Sequence, residues 1–259
     1  MRRLEPFLIK NKVLEVSTDG NLLFTEDFLR LLMDRLDKSD CVINYIPNYR
    51  MSGKKVSLPI LSNMKLELKD DKSIVNRQPD GVSIEVKISE AQLIQLDLAF
   101  SSSIFDLQGT SLQHYLLDEL EETMIQAIHF RLVETLKELN LTETTSKFTD
   151  KWFKTFCASL KGNSLLLIKS DMVGRIQDLE YSHGELTLFG QRVLVTDDPN
   201  FEGIVVIGCK AVTFVQSGEP ELYIDEETGY RSNLIYLGNR FYCNFLIKRP
   251  EHCCHIKFE

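Results

Sequence analysis

Near the C-terminus stand two histidines and two cysteines in a row, His252-Cys253-Cys254-His255, and these are the side chains that bind zinc. Four consecutive ligands cannot wrap one tetrahedral ion without a severe backbone bend, and in an extended segment alternate residues point to opposite faces. The run therefore reads as a terminal strand with half its side chains buried. The other cysteines, Cys41, Cys157, Cys209 and Cys243, are scattered along the chain and read as free thiols in a reducing compartment. His114 and His129 fall on one predicted helix about four turns apart, too far to share an ion, and read as interface or surface histidines. Cys157 with His183 would offer a thiol and a base, but no third group is at hand to orient them. The adjacent carboxylates Glu121/Glu122 and Asp197/Asp198 read as surface charge, since helical neighbours point about 100° apart. No glycine-rich phosphate loop, G-x-S-x-G elbow or H-E-x-x-H occurs. No catalytic, cofactor-binding or metal-binding residue is assigned, and the chain is not expected to be an enzyme.

The composition that must position any site is that of a globular protein: 259 residues, 43% hydrophobic and 26% charged. Thirty basic against thirty-eight acidic side chains leave a net charge of −8, which removes the diffuse positive field of a generic nucleic-acid or anionic-membrane binder. No apolar run reaches the roughly 18 residues that span a bilayer, and MRRLEPFLIK lacks the apolar stretch of a signal peptide. A cytoplasmic protein without a membrane partner is expected.

In residues 1–50 one helix is predicted, from Thr25 to about Leu36. Thr25 is its N-cap, Glu26 and Asp27 sit in the first turn, and Phe28, Leu31, Leu32 and Leu36 share a face. From Lys54 to about Phe100 the apolar period becomes two, with Val56, Leu58 and Ile60 and then Val82, Ile84, Val86 and Ile88 predicting two strands. Between them Lys65 to Gly81 is rich in charge (Lys65, Glu67, Lys69, Asp70, Asp71, Lys72, Arg77, Asp80) and closes on Pro79-Asp80-Gly81, a turn signal. A hairpin with a long polar tip results. Thr110 or Ser111 then caps the strongest helix, whose stripe runs through Leu112, Leu116, Leu120 and Met124 and is widened by Leu117, Ile125, Ile128, Leu132, Leu136 and Leu139. It spans about 28 residues and roughly 42 Å, so something elongated is built along it. Its acidic run, Asp118, Glu119, Glu121 and Glu122, reads as a solvated face.

A second helix is predicted from Phe148 to about Leu160, with Trp152, Phe153 and Phe156 on its apolar side. Leu165 to Ile168 follows as a buried strand, and Ser170-Asp171 starts a helix through about Leu179. Short strands at Val193–Val195, Ile204–Ile207 and Ala211–Val215 come next. Leu222–Ile224, a turn over 225–229, a long run to Ile247, Arg249-Pro250 and Cys254–Phe258 complete the chain.

This order of parts resembles the major capsid protein of tailed bacteriophages, with its Hong Kong 97-like fold. Leu112-Gln113-His114-Tyr115-Leu116 with Leu120 is similar to the opening of that family's spine helix. Asn163-Ser164-Leu165 to Ile168, then Ser170-Asp171 and Ile176 to Leu179, resembles its axial strand leading into a helix. Leu188-Phe189-Gly190-Gln191-Arg192-Val193-Leu194-Val195-Thr196 resembles the phrase that introduces an axial strand, with Arg192 where proline is common. Tyr223 to Arg249-Pro250 resembles the returning strands.

The resemblance implies an α+β fold with an N-terminal arm (1–50), an extended loop with flanking strands (51–105), a peripheral-domain spine helix (106–145), an axial domain (146–221) and return strands of the peripheral domain (222–259). It also implies a shell protein of the virion, assembled in a host bacterial cytoplasm. Its partners would be copies of itself in hexamers and pentamers, with a separate scaffolding protein, a portal and a decoration protein as further candidates, and it would enclose double-stranded DNA without reading its sequence. The long helix begins too early for a cleaved N-terminal scaffold. Lys65, Lys69, Asp70, Asp71, Lys72 and Arg77 on the loop tip are the candidate assembly residues, and no crosslink is expected. The arm residues Phe7, Leu8, Ile9, Leu22, Leu23 and Phe24 are expected to find shelter on neighbours. The chain should then expose markedly more than the roughly 11,700 Å² of a compact monomer of its mass. The alternatives are an encapsulin-like nanocompartment shell and a cytosolic α/β enzyme with an unrecognised site.

Overall fold

The computed structural model describes residues 4–16, 18, 22–51, 55–59, 83–87, 93–101, 110–145, 155, 163–174, 176, 179–182, 184–198, 201–225 and 234–258. The predicted helix over 148–160, apart from Thr155, and the charged tip over 65–81 lie outside the described residues.

Helix α2 (Glu26–Leu36) follows its sequence signals closely. The Thr25 Oγ1 accepts from the Phe28 N–H at 3.3 Å and donates to the Lys12 carbonyl at 2.9 Å, and Phe28, Leu32 and Leu36 are buried. What precedes it departs from the expected arm. Residues Leu4–Lys10 form a helix, α1, and strands β1 (Leu14–Val16) and β2 (Leu22–Phe24) pair antiparallel. Leu8, Val13, Leu14 and Phe24 are at most 3% exposed and share a core with Phe28, Leu32, Leu112 and Leu116. Leu8 and Phe24, expected to need a neighbour, are sheltered by their own chain. Too few apolar residues in a row occur here to show a period, so only the tertiary contacts give the segment its place.

Strands β4 (Lys55–Pro59) and β5 (Ser83–Lys87) pair antiparallel, with Val56 opposite Val86 and Leu58 opposite Ile84. They form a two-stranded ribbon that joins neither larger sheet. Helix α3 (Thr110–Glu138) has 29 residues, and its buried stripe includes Leu112, Leu116, Leu120, Met124, Ile128, Leu132 and Leu136. Leu139, assigned to that stripe from its spacing, lies beyond the helix and is exposed. The helix ends where Asn140 takes φ 56°, and the Leu141 N–H bonds the Leu136 carbonyl at 2.9 Å. Against α3 pack α2, β6 (Leu93–Ser101), β14 (Leu234–Ile247) and β15 (Cys253–Phe258).

A four-stranded sheet in the order β3-β13-β14-β6 joins β3 (Asn48–Met51) and the 14-residue strands β13 (Val212–Asp225) and β14. The ladder breaks register between Ser217 and Glu221, across Gly218-Glu219-Pro220, where proline has no N–H to give. The second sheet has seven strands in the order β7-β15-β12-β8-β11-β10-β9. Its members are β7 (Thr142–Thr145), β8 (Ser164–Lys169), β9 (Leu179–Ser182), β10 (Glu185–Leu188), β11 (Gln191–Thr196), β12 (Ile204–Gly208) and β15.

Period two divides its central strands between two cores. Leu165, Leu167, Leu194, Val205, Ile207 and Cys253 join the core that includes α3. Leu166, Ile168, Val193, Ile204, Val206, Cys254 and Ile256 pack on the other side with Met172, Ile176, Leu186 and Phe189. Both faces being covered explains why β8 and β12 read as unbroken apolar runs.

Two expectations change here. The C-terminal strand, expected to have half its side chains buried, lies between β7 and β12, and Cys253, Cys254, His255 and Ile256 are all at most 5% exposed, so neither of its faces is open. The helix expected from Ser170 to Leu179 is only α4 (Ser170–Val173), capped by Gly174, and Leu179 instead stands opposite Leu188 in the sheet. Glycine is costly to carry through a helix, and cross-strand pairing uses Leu179 better.

Leu120 is fully buried in the core shared by α3, Cys243 and Phe245. Leu120→Ala should lower unfolding stability by about 2–5 kcal/mol in a denaturant titration, with the slope unchanged. A midpoint equal to the parent's would remove α3 from the core.

Candidate assembly surfaces

The residues that could do chemistry are mostly consumed by packing. Cys41, Cys209, Cys243, Cys253 and Cys254 are free thiols. Burial pushes those of Cys41, Cys243 and Cys253 up to about 12, so they are protonated and poor nucleophiles at neutral pH. The imidazole of His255 bonds the Glu202 carbonyl through Nε2 at 2.8 Å, and its Nδ1 lies 3.4 Å from the Thr142 Oγ1. Among the described residues, no group of three or more His, Cys, Asp or Glu could hold a metal ion. Cys157 and His183 lie outside the described residues.

Two readings of surface groups are corrected. His114 is exposed, but His129 is fully buried in α3, because the ring sits on the side of the helix that meets the segment over residues 41–46. Asp198 is 3% exposed rather than surface charge, with its N–H donated to the Thr196 Oγ1 at 3.3 Å and its carbonyl accepting from the Phe201 N–H at 3.1 Å. The acidic run of α3 is partly tied down: Arg35 of α2 pairs with Asp118 and lies 3.5 Å from Glu121. The hydrogen bond with Asp118 is the main reason the guanidinium is held above its ordinary range. Sequence spacing could not show this pair, since 83 positions separate its members.

Two grooves open on the described surface. One of about 600 Å³ lies between α1, β1 and the first turn of α2, lined by Ile9, Lys12, Thr25, Phe28, Leu31 and Gln113. The other, about 370 Å³, lies beside Arg192, whose guanidinium sits 4.4 Å from the Tyr45 ring centroid and pairs with Glu185. No hydrogen-bonded pair of nucleophile and base lines either one among the described residues.

Exposed apolar side chains mark surface that could meet a neighbour. Val16, Leu31, Tyr49, Tyr115, Phe130, Tyr181 and Val195 stand out from the described parts. The ribbon of β4 and β5 carries backbone edges that neither larger sheet pairs. The six tip residues between these strands, Lys65, Lys69, Asp70, Asp71, Lys72 and Arg77, lie outside the described residues.

The architecture is α+β, with one long helix laid against two sheets. No known family description and no curated protein sequence matches the chain. Solved structures do match over most of its length. A chain of the satellite phage P4 procapsid that includes the size-determination protein superposes with a TM-score of 0.56 at 9% identity, covering 88% of this chain and 98% of that one. The virus-like particle from Pyrococcus furiosus gives 0.52 at 11% identity, covering 91% and 99%. The capsid of the native GTA particle gives 0.51 at 10%, covering 85% and 90%. The fold is the Hong Kong 97-like capsid fold.

Proposed function

We propose that this chain is the subunit of a closed protein shell, the major capsid protein of a tailed phage or prophage, which assembles with copies of itself into hexamers and pentamers around double-stranded DNA. The observation that carries this reading is the likeness in fold to chains of a phage procapsid and a virus-like particle along nearly their whole length. The exposed apolar side chains spread over the described parts support it, since a shell subunit meets several neighbours, each across a patch of its surface. Identical interfaces repeated by symmetry close the particle. The tip residues Lys65, Lys69, Asp70, Asp71, Lys72 and Arg77 would set registration more than affinity, because exposed ion pairs contribute about 1 kcal/mol or less while like-charge misdocking is penalised. A net charge of −8 suits a container that surrounds DNA without gripping it. A portal, a separate scaffolding protein and a decoration protein are the partners such a shell would take.

A nanocompartment shell is the second reading, since the same fold forms the virus-like particle from Pyrococcus furiosus as well as phage capsids. The chain expressed alone should form closed particles visible by electron microscopy, and particles from the native host should separate the two readings. Nuclease-protected DNA marks the phage shell and a co-purifying protein cargo marks the compartment. A monomer at every concentration, with or without a scaffold, would sink both.

A further inference from the structure

The contact between α3 and the segment leading into β3 is apolar, with Cys41, Val42, Ile43 and Ile46 all buried, apart from one ring set into it. The His129 side chain is fully buried, and its Nε2 accepts from the Val42 backbone N–H at 3.3 Å. Only a neutral imidazole with its proton on Nδ1 can do this, and that Nδ1 has no hydrogen-bond partner among the described residues. A second proton has to go onto Nε2. The acceptor then vanishes, two N–H groups face each other, and a full charge sits where nothing solvates it.

We propose that His129 is an acid-sensitive latch: the neutral ring fastens residues 41–46 to the long helix, and protonation unfastens them. The latch reaches both sheets. Tyr45 of the segment lies against Arg192, and Pro47 just beyond it accepts the Phe214 N–H at 2.9 Å as the chain enters β3. Its freeing loosens the joint where the N-terminal region, the four-stranded sheet and the seven-stranded sheet meet.

Among the described residues, the surroundings hold no ready counter-charge. Cys41 on the segment and Cys243 on β14 are thiols pushed up to about 12 by burial. Arg131, a neighbour on α3, is engaged by Glu138 at 3.0 Å and by Asn244 of β14 at 3.3 Å. From α2, Arg35 pairs with Asp118 and Glu121, two to three turns further up α3. β15 brings Cys253, His255 and Lys257, and β6 brings one ionisable residue, Asp97, at the register position opposite Gly238. Burial is the cause that lowers the imidazole to about 4. With the folded value below the ordinary 6.5, the latch is closed above pH 6.5 and loses hold as pH falls from there through about 4.

Hydrogen exchange on the full chain tests this. After correction for intrinsic rates, protection of the Val42 amide should fall roughly 20-fold from pH 7 to pH 5, while that of Val206 in the seven-stranded sheet changes little. In His129→Gln, whose amide oxygen can accept the same bond and stays uncharged, Val42 protection should be flat. A flat wild-type profile, an equal fall at Val206, or an equal fall in the variant would overturn the latch. Should the variant not fold, the ring nitrogen shifts of the wild type at pH 6 decide: a neutral, Nδ1-protonated ring supports the proposal and any other state overturns it. These readouts concern the chain alone and do not depend on whether it forms a shell.

Discussion

A chain lacking residues 1–16 is expected not to fold, rather than to fold and fail to assemble. Leu8, Val13 and Leu14 are at most 2% exposed, and their loss opens one side of the core that holds Phe28, Leu32, Leu112 and Leu116. Each large buried aliphatic side chain removed costs about 2–5 kcal/mol. Two leucines and a valine together amount to about 5 kcal/mol or more, comparable with the whole net stability of a domain. The deletion also takes away β1, the partner of β2, and the Lys12 carbonyl that accepts from the Thr25 hydroxyl at the start of α2. Circular dichroism and a urea titration of the truncated chain measure it. A cooperative transition near the parent's midpoint would show that the segment adds nothing to the fold of its own chain.

Replacing Gly203 by alanine should be the most damaging single substitution in the seven-stranded sheet. Gly203 has φ 84°, a conformation that side chains rarely adopt, and a Cβ built there would stand 1.9 Å from the Ile256 carbonyl oxygen. That contact is backbone on backbone. Either β12 and β15 separate or the turn that delivers Ile204 to the ladder is rebuilt, and Ile204 opposite Ile256 is where their pairing begins. Left-handed strain adds on the order of 1–3 kcal/mol to the steric term, so the total should exceed about 4 kcal/mol, in the range reserved for gross mechanisms. Soluble yield and thermal midpoint read the outcome. At Gly184, which also has positive φ but nothing within 4 Å of an added Cβ, alanine should cost only the backbone strain. Equal effects at the two positions would mean that the close approach to Ile256 is not what makes Gly203 necessary.

Much of the local structure was legible in the residues themselves. Thr25 with Glu26, Asp27 and the Phe28, Leu32 and Leu36 spacing defines α2, the leucine stripe defines α3, and the alternation of Val56, Leu58, Ile84 and Val86 defines the ribbon. The order of these parts also carried the Hong Kong 97-like fold. The candidate site was legible only as a charged tip between two strands, and those six residues lie outside the described ones. Periodicity and capping are properties of a few consecutive residues, so they survive in sequence whatever the chain later packs against.

Which surfaces become covered is decided by residues far away along the chain, and there the tertiary structure overrides the local pattern. Leu8 and Phe24 look like contacts for a neighbour until α2 and α3 close over them. His129 looks like a surface or interface group until Val42, 87 positions earlier, donates its N–H to the ring. His252-Cys253-Cys254-His255 reads as a half-buried strand, but His252 ends a 3-10 turn, and β7 and β12 flank the strand from Cys253 onward with a core on each side. One face of a strand or helix is written in its own residues. The partner that covers the other face is supplied by the fold.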